Sequence, residues 1–234
     1  MRTPVPDHCG DPATDIERLY YGPHRLTFRA GTYLALLRMM GIGHLVTALY
    51  GHTLLVADTQ ARLARTRQTL RDLICSGFES DAGRRAVDRL RTVHRGLPAQ
   101  PDDYRYVLGT FFLEPVRWNA CHARARLTPE ELELLLAFWL RVGQAMEIPG
   151  LPSTLPQWQQ FQRDYEARHM ACTAEGHRLA SMCLRDVVKL SVPMGARGLF
   201  RQLMLATMEE RVRVTLRLAA PGWCGRVVMR WLIR

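Results

Sequence analysis

Along almost the whole chain, apolar residues recur at three- and four-residue intervals, and no stretch alternates apolar with polar residues for long enough to need a strand. That period restricts the fold to helices, because each element must turn one apolar face to a common core. The start and stop signals agree. Asp58 can cap a helix that carries Arg62, Leu63, Thr66, Leu70, Leu73 and Ile74 and that Gly77 can end. Ser80 can cap the next, where Ala86, Val87, Leu90, Val93 and His94 fall at helical spacing before Gly96 and Pro98 stop it. Asp102 or Asp103 begins a third, with Tyr104, Val107, Leu108, Phe111 and Phe112 preceding Pro115, which should kink or end it. "TPEE", Thr128 to Glu131, joins a capping box to proline at the first helical position, and a second box spans Thr154 to Gln157. Amphipathic stretches over about Thr173 to Leu190 and Ala196 to Ala219 complete the expectation of an all-α, single helical-bundle domain.

With 234 residues, 47% of them hydrophobic, the chain can bury one substantial core. The run Met39 to Ala57 has 19 residues without a charge, close to a membrane-spanning length. It holds three Gly and two His and is followed by Asp58 and Arg62, so it reads as two packed segments broken near Gly41, Gly43 or Gly51. The N-terminal "MRTPVPDHCGDPATD" lacks the apolar core of a secretory signal. Six Cys are scattered without a CxxC pair, which suits neither a zinc site nor a stapled scaffold, and the expectation is reduced thiols in the cytoplasm.

The formal charge is +10, and 31 of the 32 basic residues are Arg, Lys189 being the exception. Nucleic acid, an anionic membrane surface and an acidic ligand all suit that balance, as does a solvated Arg-rich surface. Arg is spread along the chain, which argues against a nucleic-acid binder.

Several chemistries are excluded by motif. The chain has no GxSxG elbow, no P-loop, no GxGxxG and no HExxH. Its carboxylates cluster as Glu130, Glu131 and Glu133 or as Glu209 and Glu210, which read as helix starts and solvated faces rather than a di-iron set. Chemistry is left to His, Arg and Thr. The histidines at 8, 24, 122, 169 and 177 lie among polar residues and read as surface groups, whereas His44 and His52 could be core or pocket residues. His94 follows Val87 and Leu90 on one face, where a lone His is more often a satisfied core residue than a ligand. Arg62 and Thr66 stack four residues apart on the preceding helix. Haem needs these residue types: imidazole for iron, apolar walls, guanidinium for the propionates and a distal donor for dioxygen. A solvated helix face would look the same.

Three blocks together resemble the MpaB-type oxygenases, a family that includes the rubber oxygenase catalytic domain. They are "RLART" at Arg62 to Thr66, "LRTVHRG" at Leu90 to Gly96, and "TFFLEPVRW" at Thr110 to Trp118 with "LTPEELELLLAFWLRVGQAMEIP" at Leu127 to Pro149. The similarity runs from about Arg29 to about Val192. It implies a globin-reminiscent helical fold around one haem b, with His94 as proximal iron ligand and Arg62 and Thr66 on the distal helix. Rubber oxygenases carry a Lys before that Thr; here it is Arg65, whose guanidinium has no lone pair for iron. Arg65 and Arg117 are cofactor-contact candidates, Arg117 either at a propionate or in a salt bridge to Glu114.

The implied reaction is oxidative cleavage of a carbon–carbon double bond in an apolar, isoprenoid-like or polyprenyl substrate by dioxygen. Hydroxylation, peroxide-driven oxidation and non-catalytic haem or lipid binding are the alternatives. Phe111, Phe112, Trp139 and the stretch near His44 would wall a substrate channel or simply form core. The expected organisation is an N-terminal extension (1–28), a catalytic domain (29–219) and a basic amphipathic segment (220–234). "GWCGRVVMRWLIR" within the last mixes Trp, Val and Leu with Arg, which suits peripheral attachment to a membrane or docking on its own domain.

Overall fold

The computed structural model describes residues 14–52, 59–95 and 97–223 with 225 and 227, leaving aside the side chains of 49–52 and 59–63. In chain order the described helices are α1 (Asp15–Tyr21), α2 (Arg25–Met39), α3 (Gly43–His52), α4 (Thr59–Ser76), α5 (Asp81–His94), α6 (Pro101–His122), α7 (Pro129–Ala145), α8 (Leu155–His169), α9 (Ala174–Ser191), α10 (Arg197–Thr207) and α11 (Glu210–Thr215). No strand occurs among the described residues; Ile42 and Met170 make an isolated bridge. The protein is all-α.

The caps read from sequence form as expected. Ser80 accepts the Gly83 N–H at 2.9 Å, Thr128 and Glu131 close their box, and Thr154 and Gln157 close theirs. Gly77 ends α4 with φ at +69°, a conformation that favours glycine. Asp58 lies outside the described residues. Three boundaries differ. Gln100, not an Asp, is the N-cap of α6, with Pro101 at its first turn and Asp103 returning its carboxylate to the Gln100 N–H at 2.7 Å. Pro115 does not end α6, which continues to His122. The 196–219 stretch divides into α10 and α11 around Met208 and Glu209, where the Glu209 carboxylate accepts a bond from Arg38.

Helices α2 and α6 are packed most closely: a Cβ on Gly31 would lie 2.4 Å from the Cα of Pro115. Proline has no N–H to satisfy, and its surface receives the bare glycine backbone. Among the described residues lie three apolar clusters, the smallest formed by Ile42, Leu45, Tyr106 and Tyr165. Of the two larger, one joins α1, α4, α5, α6, α7 and α8 through Leu19, Leu73, Ala86, Phe112, Leu135 and Trp158. The other joins α2, α9, α10 and α11 through Leu37, Leu184, Leu205 and Val212.

Of the segment expected as an N-terminal extension, the described part forms α1 and the start of α2, and Leu19, Tyr20 and Phe28 are buried in the first cluster. The uncharged run divides at Met40–Ile42, as the glycines suggest; residues 53–57 lie outside the described residues. No described helix is long and apolar enough to cross a membrane. Cys75 is disulfide-bonded, with its partner outside the described residues, which corrects the expectation that every thiol is reduced.

Candidate functional site

The four residues between α4 and α5 are too few for anything but a tight reversal, and the Asp72–Arg89 ion pair ties the two helices into an antiparallel hairpin. Arg62 lies 14 residues before the end of α4, and His94 lies 13 residues after the start of α5. At about 1.5 Å of rise per residue, both are roughly 20 Å from the turn, so they are level at the open end of the hairpin. Thr66 is one turn nearer the turn. The hairpin thus gathers "RLART" and His94 at one end of one supersecondary unit.

His94 is half-buried, and its Nδ1 stands 2.6 Å from the carbonyl oxygen of Leu90. A carbonyl can only accept, so Nδ1 carries a proton, and in the neutral ring the lone pair is then on Nε2. Tyr104 of α6 donates its hydroxyl to the His94 carbonyl at 2.9 Å, and its ring meets the imidazole edge-on at 5.9 Å. These contacts fix the end of α5. Beside His94, Val93 is 51% exposed, an apolar group left at the open end of the hairpin. Thr66 is half-buried and Arg65 exposed; the side chain of Arg62 lies outside the described residues. Toward the turn, Leu70, Leu73, Ile74, Ala86, Val87 and Leu90 belong to the first apolar cluster.

Arg117 stands apart from this end. Its guanidinium contacts Glu114 and donates to Gln162 Oε1 at 2.8 Å, which is the salt-bridge alternative. Burial, then the neighbouring Arg38 charge, lowers its pKa to about 10. The centre of this network is Arg38. It clamps Glu166 through two bonds of 2.6 and 2.8 Å and reaches Glu114 at 3.0 Å and Glu209 at 2.7 Å. Tyr106 adds a hydroxyl to Glu166 at 3.0 Å. Although burial works against the charge, Glu166 and Glu209 hold Arg38 more firmly protonated than a free guanidinium. Two arginines facing three glutamates with these bonds satisfied form a structural joint between α2, α6, α8 and the α10–α11 bend.

A second polar group lies where α3, α6 and α8 meet. His44 Nε2 is 2.8 Å from Asp103 Oδ1, the Tyr165 hydroxyl bonds the same carboxylate, and His169 lies edge-on to His44 at 5.2 Å between ring centroids. Burial raises the Asp103 pKa, but the bonds from Tyr165, His44 and the Gln100 N–H outweigh it and keep the carboxyl below its ordinary range. Among the described residues, no three His, Cys, Asp or Glu converge as a metal site. Phe112 and Trp139 are core, Trp139 donating to the Tyr20 hydroxyl at 3.0 Å.

The family model for the "ER-bound oxygenase mpaB/B'/Rubber oxygenase, catalytic domain" matches residues 21–234. The chain belongs to this family. This MpaB/rubber-oxygenase domain is accordingly an oxidoreductase of the oxygenase class. The match extends beyond the quoted blocks on both sides, from the end of α1 through α11 to the C-terminus. No curated protein matches the chain.

Sequence patterning missed the buried charges of this MpaB/rubber-oxygenase domain. Glu114 and Glu166 are buried against Arg38, while Glu209 stays exposed as expected and still bonds Arg38; His24, expected on the surface, is 5% exposed and pairs with Glu131 at 3.2 Å. The signal available was Arg38 itself, one charge inside the apolar run from Tyr33 to Leu45. An Arg in such a place must bring its own carboxylates.

Proposed function

We propose that this domain is a haem b-dependent oxygenase that cleaves a carbon–carbon double bond in an apolar, isoprenoid-like substrate. The observation that carries the reading is the His94 ring: Nδ1 is committed to the Leu90 carbonyl, so in the neutral ring Nε2 is the nitrogen with which His94 would hold the iron. Haem asks for one such imidazole and an apolar surround, and Val93, Leu90 and Val87 supply apolar side chains on the same helix. When bound, haem supplies the redox iron at which dioxygen is activated.

The chain's own residues would do the rest. His94 would hold the iron from one side, with Leu90 and Tyr104 fixing its ring and backbone. Thr66 would offer a hydroxyl on the facing helix, and Arg62 a fixed positive charge toward propionate or oxygen. Arg65 stays protonated and donates hydrogen bonds only, so it would act as a cation and never as an iron ligand. Both atoms of dioxygen enter the two carbonyl products, so the cleavage itself needs no added reductant. The basic, Trp-bearing segment 220–234 would hold the enzyme at a membrane in which an apolar substrate dissolves.

An absorption spectrum of protein expressed with iron and a haem precursor tests this. A Soret band lost in His94→Ala and kept in His44→Ala and His52→Ala is expected. Wild-type protein that is purified haem-free and takes up no added haemin would sink the proposal. With haem bound, two carbonyl fragments from a polyprenyl substrate under dioxygen are expected; a hydroxylated product would replace cleavage by hydroxylation.

A further inference from the structure

A cavity of about 280 Å³ opens between α9 and α10, and none of its lining residues belongs to the proposed oxygenase site. Four cationic side chains line it, Arg185 and Lys189 from α9 and Arg197 and Arg201 from α10, and no carboxylate does. Arg185 is paired with Asp186 at 3.2 Å; for the other three no ion pair occurs among the described residues. The Nε of Arg197 is buried without a hydrogen-bond partner among them. An unmet buried donor among like charges is costly unless an anion completes it.

Beneath the charges the lining is apolar, with Leu184, Val188 and Leu218 buried. Next to lining residues in the chain stand Leu190 and Leu199, 42% and 46% exposed, and Met194, in the turn between α9 and α10, is 79% exposed. Cations over apolar groups, edged by exposed hydrophobic side chains, complement an interface where anionic heads meet hydrocarbon. Net charge points to the same region. Residues 185–234 hold ten basic and three acidic residues, which is +7 of the chain's +10, although Arg itself occurs throughout.

We propose that the α9–α10 face docks on an anionic membrane and that its cavity receives the phosphate headgroup of one acidic phospholipid. This deepens the peripheral placement proposed above and is independent of haem, so failure of either leaves the other's readout intact.

Full-length protein is mixed with vesicles of phosphatidylcholine alone or with added phosphatidylglycerol, and binding is read by co-sedimentation. Binding only to the acidic vesicles is expected. Near such a surface each basic side chain contributes about five-fold, so the triple variant Lys189→Gln, Arg197→Gln, Arg201→Gln should lose about 100-fold. Removing the same charge from exposed positions elsewhere, with Arg84→Gln, Arg124→Gln and Arg163→Gln, should cost less than about three-fold. Circular dichroism checks that both variants are folded. Equal losses in the two variants would reduce the effect to bulk charge and overturn the site. Absence of binding to acidic vesicles would overturn it too. Calorimetry of the unaltered protein with inorganic phosphate separates the sources: tight phosphate binding without vesicle binding would reassign the cavity to a soluble phosphate and overturn the lipid assignment.

Discussion

Arg38 shows what one side chain can decide. It is 3% exposed and meets three carboxylates from three places in the chain, so its removal strands negative charge in the core. Breaking a buried pair by deleting one partner costs about 3–5 kcal/mol. Arg38→Met should lower stability by about that amount in urea denaturation, and adding Glu166→Gln should recover part of the loss because one stranded charge is gone. At the other polar cluster the effect is a pH dependence. Asp103 titrates lower in the folded protein than unfolded, so its stabilisation is full above about pH 4 and is lost as pH falls through the folded value. Denaturation curves from neutral to acidic pH should therefore show Asp103→Asn less stable at pH 7 but with a shallower acid limb. Position 65 is the third test at this scale. Arg65→Lys introduces an amine that can lose its proton, and if haem binds as proposed the loaded variant should show a visible spectrum different from that of the wild type.

At the scale of elements, the α2–α6 crossing rests on an absence of atoms. Alanine in place of Gly31 would gain helix propensity of up to about 1 kcal/mol, yet its Cβ would meet Pro115 backbone at 2.4 Å. Overpacking of this kind costs about 1–3 kcal/mol, so Gly31→Ala should lower the thermal midpoint despite the better helix former. The capping elements behave more locally. Thr128→Ala removes a box at the exposed start of α7 and should cost about 1 kcal/mol, read by the same melts. Such boxes were legible because donor, acceptor and proline lie within four consecutive residues. The α10–α11 break was not legible, and the bond made at it comes from Arg38, 171 residues away from Glu209.

For the whole molecule, the amino-acid sequence determined helix type, most boundaries and the α4–α5 hairpin. Periodicity, caps and a four-residue turn act over distances shorter than one helix. It also carried, through resemblance, the family that the match over 21–234 establishes. Only the tertiary structure decided which charges are buried. It took Glu114, Glu166 and His24 out of water, because partners from distant segments compensate the desolvation that no local pattern can reveal. It likewise decided that cations on α9 and α10 share a cavity, since the 3.6-residue period tells which residues share a face but not which faces meet. The proton on His94 belongs to both scales. Its acceptor, Leu90, is one turn away in sequence, but the Tyr104 hydroxyl that holds the end of the helix comes from α6.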